Sequence, residues 1–360
     1  MTGALGRLAG RALSAVLDPT VVLSFDRTGF RRHALGFDPR DLAVDLTGRV
    51  AVVTGANSGI GRATARALAL RGATVRLLCR RDHAGREAAA ALRAEVPGAG
   101  PERVAAVPCD VGDLASVDAA CDALLGDPAV PAVHALVHNA GLLPDARRRT
   151  AQGHELTLAV HVVGPQRLTA RLLPRLRRDG DARVVWVSSG GMYTQRLDVE
   201  AVLDRPPSTP GEGARPDGPG GRRPPYDGVV AYARTKRAQV ALAALWAEAL
   251  LGSSVTVHAM HPGWADTPAV ETSLPRFHAL TRRLLRSPEE GADTVVWLAC
   301  AARAAASSGG FWFDRRQVRP HVLPGARDDP AERARLWAEA CRLAGVDPRS
   351  LEPGPWPREA

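Results

Sequence analysis

Two side chains stand at a spacing that suits proton transfer: Tyr232 and Lys236, in Tyr232-Ala-Arg-Thr-Lys236. On a helix that interval sets both on one face, one turn apart. An ammonium beside a phenol stabilises the phenolate and lowers the phenol's pKa. It can also donate to a sugar hydroxyl. The lysine is singular in a second way: it is the only one among 47 basic residues, the rest being arginine. A chain that uses arginine wherever either cation serves should keep lysine where a planar guanidinium cannot do the job. The competing reading is a chance survivor on a solvated helix face.

A second feature concerns anions. Val50-Ala-Val-Val-Thr54-Gly55-Ala56-Asn57-Ser58-Gly59-Ile60-Gly61 runs from an apolar β-branched stretch into glycines, and the helix-forming Ala63–Leu70 follows. Strand, turn and helix in that order offer a helix N-terminus, with free N–H groups and a positive dipole end, to a phosphate. The glycines allow a pyrophosphate close to the backbone. The spacing is Gly-x-x-x-Gly-x-Gly rather than the commoner Gly-x-Gly-x-x-Gly.

Thr54-Gly-x-x-x-Gly-x-Gly61, Asn139-Ala140-Gly141, Ser189, Tyr232-x-x-x-Lys236 and Pro262-Gly263 follow one another along the chain. Together they resemble the short-chain dehydrogenase/reductase family over roughly residues 45–346. The resemblance implies a single Rossmann-type α/β domain, a doubly wound parallel sheet with helices on both faces. It implies an NAD(P)-dependent oxidoreductase that interconverts an alcohol and a carbonyl by hydride transfer. Tyr232 would pass a proton to or from the substrate oxygen. Ser189 would hydrogen-bond and polarise that oxygen. Lys236 would lower the phenol's pKa and contact the nicotinamide ribose.

By the same resemblance the cofactor would lie on Thr54, Gly55, Asn57, Ser58, Gly59, Ile60 and Gly61, with Asp110 and Val111 at the adenine. Asn139, Ala140 and Gly141 would pass beneath it; Tyr232, Lys236, Pro262, Gly263 and Thr267 would complete its contacts. Enzymes of this family that use NAD carry an acid at the end of the second strand. Here Leu77-Leu78-Cys79-Arg80-Arg81-Asp82 supplies arginines, which suit the 2′-phosphate of NADP(H) better than the free ribose hydroxyls of NAD(H). One family position differs: where an asparagine helps hold a proton-relay water, Thr157-Leu-Ala-Val-His161 supplies histidine. His161 either relays a proton in its place or only packs. A non-catalytic protein sensing NADP(H) on the same fold is the alternative to an enzyme.

The elements that must position these groups alternate along the chain. Apolar runs at 49–54, 74–79, 104–110, 132–138, 183–188, 254–261 and 310–313 read as strands, with alanine- and leucine-rich helical stretches between them. Residues 198–228, rich in proline and glycine, read either as an inserted loop over the substrate side or as a disordered insertion with no role in recognition. Residues 1–44 precede the fold, with a short amphipathic helix expected at 5–17, and 347–360 form a tail. The leader is open to three readings: a packing arm, a dimer contact that would make a homo-oligomer, or a peripheral membrane contact.

A net charge of +9 raises the question of nucleic acid. The arginines are scattered and interleaved with acids, so nucleic-acid binding is not expected. The five cysteines lack metal or redox spacing and read as free thiols; no metal is expected, and a cytoplasmic setting is.

Overall fold

The computed structural model describes residues 21–205, 225–273, 275–321 and 327–351. Eight strands form one sheet: β1 (Val50–Thr54), β2 (Thr74–Cys79), β3 (Val104–Pro108), β4 (Ala135–His138), β5 (Ala182–Val187), β6 (Val255–Met260), β7 (Phe311–Phe313) and β8 (Arg316–Val318). Their order is β3-β2-β1-β4-β5-β6-β7-β8. The first seven are parallel and β8 returns antiparallel to β7.

The central strands are mostly apolar because helices cover both of their faces, with Arg76 in β2 and Arg183 in β5 as buried exceptions. All five residues of β1 and all six of β5 are buried. One core gathers Leu124, Leu168, Leu172, Trp186 and Trp246 beneath the helices Leu114–Gly126, Gly164–Leu176 and Gly228–Ala249. The other gathers Leu68, Leu77, Leu92 and Trp297 beneath Gly59–Leu70, Asp82–Glu95 and Pro288–Cys300. The chain winds outward from β1 to β3, then returns to lay β4 on the other side of β1. That reversal opens a crevice at the carboxyl ends of β1 and β4, where α/β sheets bind ligands.

Expected and observed strands agree in place and differ at the ends. β3 stops at Pro108, so Asp110 stands in the loop beyond it, and β4 begins at Ala135. The eighth strand was not expected. Its hairpin turns on Asp314 and Arg315, both at positive φ (48° and 55°). Tight hairpin turns of that hand usually announce themselves with Asn-Gly. The stretch expected as loop from 198 onward instead opens with the helical turn Val199–Val202. Residues 206–224, with most of the prolines, lie outside the described residues, as does the helix expected at 5–17.

The leader packs onto the domain from residue 21. Helices Val21–Phe25 and Arg27–Ala34 meet at Asp26, whose carboxylate accepts from the Gly29 N–H. His33 Nδ1 lies 2.6 Å from Asp314 Oδ2. Arg286 holds both Asp314 oxygens and donates as well to the carbonyls of Ser24, Asp26 and Pro262. Burial alone would raise the Asp314 carboxyl; Arg286 and His33 outweigh it and hold it below the usual carboxylate range. Among the described residues no helix is long and apolar enough to cross a membrane.

Candidate active site

The crevice is a cavity of about 560 Å³. Its floor is the turn after β1 and the N-terminus of helix Gly59–Leu70; its far wall is the Tyr232/Lys236 helix. Gly55, Asn57, Ser58, Gly59, Ile60, Arg80, Asp110, Val111, Asn139, Ala140, Gly141, Ser189, Tyr232, Lys236, Pro262, Gly263 and Thr267 all line it. Residues more than 200 positions apart thus share one chamber.

Thr54, Gly61, Arg81 and His161 do not line it. Thr54 is buried behind the turn: its Oγ accepts the N–H groups of Asn139 and Ala140, both at 2.9 Å. Gly61 lies beneath Asn139, and a Cβ there would come within 2.4 Å of the Asn139 amide nitrogen. Asn139 Nδ2 in turn donates to the Thr54 and Gly55 carbonyls. These contacts clamp the turns after β1 and β4 together. Arg81 is exposed and stands at the N-cap of helix Asp82–Glu95. Arg80 is exposed at the cavity edge.

Helix Gly228–Ala249 is started by Asp227, whose carboxylate accepts from Val229 and Val230. Tyr232, Lys236 and Gln239 follow at the i, i+4, i+7 interval and share its inner face. Tyr232 and Ser189 both line the cavity, and Ser189 stands near enough to draw the phenol's pKa down. The neighbouring Ser188 is turned elsewhere, donating to the Lys236 carbonyl at 2.8 Å, as alternation along an extended strand demands. Lys236 Nζ donates to the Val187 carbonyl at 2.8 Å and to Gln239 Oε1 at 3.0 Å. It stands 5.5 Å from the centre of the Tyr232 ring.

The electrostatics depart from the sequence expectation. Burial pushes the Tyr232 phenol up, and the nearby Ser189 pulls it only part of the way back. Burial also brings Lys236 down to about 7. The ammonium spends its hydrogen bonds on neutral oxygens, so desolvation dominates both groups.

His161 is one layer back, fully buried in the π-helical turn Ala159–Val163. Its Nε2 accepts the Leu142 N–H at 3.2 Å, and its Nδ1 is 2.8 Å from Thr235 Oγ. An acceptor at Nε2 puts the hydrogen on Nδ1, which donates to Thr235. Burial first, and then Lys236, hold its pKa well below the ordinary value, so the ring is neutral. Neither ring nitrogen is left to hold a relay water.

Several contributors carried no sequence signal. Leu142, Leu143, Val160, Val229, Trp264 and Leu285 add an apolar share to the cavity lining. Phe25, from the leader, packs against His261 and Trp264, and its carbonyl accepts the Trp264 N–H at 2.8 Å. Gly263, at φ +74°, passes so close that a Cβ would lie 2.5 Å from the Phe25 oxygen. The leader therefore backs the Pro262-Gly263 turn. Gln239 is recognisable only in hindsight, by its interval from Lys236.

Residues 49–197 match the family described as short chain dehydrogenase. Dehydrogenase/reductase SDR family member 12 of Homo sapiens is 36% identical over 314 residues, spanning 87% of this chain and 91% of that protein. Polyprenol dehydrogenase of Mus musculus is 36% identical over 314 residues, 83% of this chain and 84% of that protein. Retinol dehydrogenase 12 of Homo sapiens is 32% identical over 305 residues, 84% of this chain and 88% of that protein. Among solved structures, a protein of Mycobacterium paratuberculosis superposes with a TM-score of 0.61 at 27% identity, covering 84% of this chain and 96% of that one. The chain belongs to the short-chain dehydrogenase/reductase family, and is an oxidoreductase by that membership.

Proposed function

We propose that this protein is an NADPH-preferring reductase or dehydrogenase that interconverts an apolar alcohol and its carbonyl, with Tyr232 as the acid/base. The observation that carries the reading is that Ser189 and Tyr232, with Lys236 one turn on, face the same cavity as a glycine-lined helix N-terminus. The cradle fits a dinucleotide: Gly55–Gly61 brings backbone N–H groups to the cavity floor, where a pyrophosphate is favoured. Arg80 stands at the edge, unpaired with any carboxylate among the described residues, which suits a 2′-phosphate. When bound, the nicotinamide supplies or takes the hydride.

The chain's own residues handle the proton and the oxygen. Ser189 binds the substrate oxygen and fixes it beside the Tyr232 hydroxyl. A phenol held upward in pKa is protonated at neutral pH, which suits the reductive direction: Tyr232 donates its proton as the oxygen gains charge. Lys236 stands near enough to steady the resulting phenolate. Leu142, Leu143, Val229 and Leu285 give the cavity apolar walls. They match the long apolar alcohols named for the polyprenol and retinol relatives.

The test is consumption of NADPH with a panel of aldehydes and ketones, from short polar ones to farnesal and retinal. Turnover should rise with apolar chain length. Tight NADPH binding without turnover on any of them would move the protein to the cofactor-sensing reading.

A further inference from the structure

The family pattern places an asparagine at position 161 to help hold a relay water behind the lysine. Here the histidine side chain is fully engaged with Leu142 and Thr235. The space between the His161 backbone and Lys236 is crossed by another residue. Gln239 Nε2 donates to the His161 carbonyl at 2.9 Å, and Gln239 Oε1 accepts from Lys236 Nζ at 3.0 Å. The amide is fully buried. Pro165, four positions on from His161, has no N–H to give that carbonyl.

We propose that Gln239 is a positioning residue that holds Lys236 from behind, linking its ammonium to the His161 carbonyl where the family pattern puts water. The proposal deepens the catalytic reading above and rests on it for the role of Lys236. An amide has one orientation here: its oxygen faces the cation and its nitrogen faces the carbonyl. A water could donate and accept in either direction and exchange protons along the line. The amide cannot, so the lysine's rear hydrogen bond is fixed. Its protons then pass only on the cavity side. The titratable groups facing the ammonium are Tyr232, one turn earlier on its own helix, and His161, on the turn packed behind.

Because Lys236 is the only lysine, a protein grown with lysine labelled with carbon-13 at Cε gives one side-chain resonance, whose pH titration reads this group alone. Gln239→Leu keeps the bulk and removes the acceptor. It should lower the Lys236 titration midpoint and broaden the resonance, with NADPH affinity within twofold of wild type. Gln239→Glu keeps the shape, adds a charge, and should raise the midpoint. In steady-state turnover Gln239→Leu should lower kcat at least tenfold, with KM changed less. A midpoint and line width unaltered in both variants would overturn the proposal and leave Gln239 as packing. If Gln239→Leu does not fold, the Gln239→Glu shift decides alone. The resonance responds whether or not a substrate has been found, so failure of the catalytic reading would appear separately, as a wild type without turnover.

Discussion

His161 Nδ1 and Thr235 Oγ lie 2.8 Å apart, so the ring's second nitrogen is taken up by the neighbouring helix. Thr235 passes the bond on to the carbonyls of Ala231 and Tyr232 in its own helix. The ring therefore stitches the π-helical turn Ala159–Val163 to the helix that carries Tyr232 and Lys236, and it meets the Tyr232 ring edge-on at 5.4 Å.

His161→Leu should therefore cost stability first. It leaves the Leu142 N–H without its acceptor and the Thr235 oxygen without the ring N–H it accepts, a loss of about 1–3 kcal/mol. Denaturant unfolding measures it. A variant as stable as wild type but catalytically dead would restore a proton-relay role for this residue.

Tyr232→Phe should reduce turnover by about 10²–10⁴-fold, the range for removal of a proton donor. NADPH binding, followed by fluorescence, should persist. Lys236→Arg should fold, since arginine is a good helix former, and still lose most activity. A guanidinium cannot fit between the Val187 carbonyl and Gln239 as a compact ammonium does. Near-normal turnover of Lys236→Arg would make the lone lysine an accident of composition.

Cofactor choice should follow Arg80. NADPH should bind at least tenfold more tightly than NADH, a difference of about 1.4 kcal/mol. Arg80→Asp should narrow or reverse the ratio. Equal affinities in the wild-type protein would remove the 2′-phosphate argument.

The buried lysine should make stability depend on pH in a definite direction. Its pKa falls from 10.5 to about 7 on folding. Between those values the unfolded chain carries a proton that the folded chain lacks, so stability from this group rises with pH. The penalty is complete below about pH 7 and absent above 10.5. Lys236→Met removes it. Relative to wild type, the variant should gain on the order of 4 kcal/mol more at the acid end of that window than at the alkaline end. A flat difference across the window would show that Lys236 keeps its ordinary pKa in the fold.

Asp314→Asn should be severely destabilising. Arg286 would be left as a buried guanidinium facing neutral groups, a situation that costs about 3–5 kcal/mol. Because the same cluster holds Ser24, Asp26 and His33, the leader should detach before the rest unfolds, and hydrogen exchange at residues 27–34 should rise first. Protection there equal to wild type would mean the leader is held by Phe25 and its aromatic neighbours instead.

The parallel sheet was legible because strands covered on both faces are apolar for most of their length, as β1, β2 and β5 are apart from Thr54, Thr74, Arg76 and Arg183. The cofactor turn was legible because its glycines answer local needs. What stayed hidden depends on distant partners. The docking of residues 21–34 requires Arg286 and Asp314, some 260 residues away, and nothing near Phe25 announces them. The eighth strand was hidden because Asp314 and Arg315 take a turn that glycine normally marks. The direction of the Tyr232 pKa was misjudged because sequence shows the neighbouring charge but not the depth of burial that outweighs it.

The solitary lysine also gives the chain a single weak point for a protease that cuts after lysine. Its one target bond, Lys236–Arg237, lies inside the 22-residue helix Gly228–Ala249. Both flanking side chains are buried, Arg237 being tied to Asp328 and to the Pro320 carbonyl. Cleavage therefore requires that helix to open, and it yields two fragments only, residues 1–236 and 237–360. The rate at which they appear is a direct gauge of how often the catalytic helix comes loose. A ligand seated against Tyr232 should slow that clock in proportion to its occupancy, even when nothing is known of its chemistry.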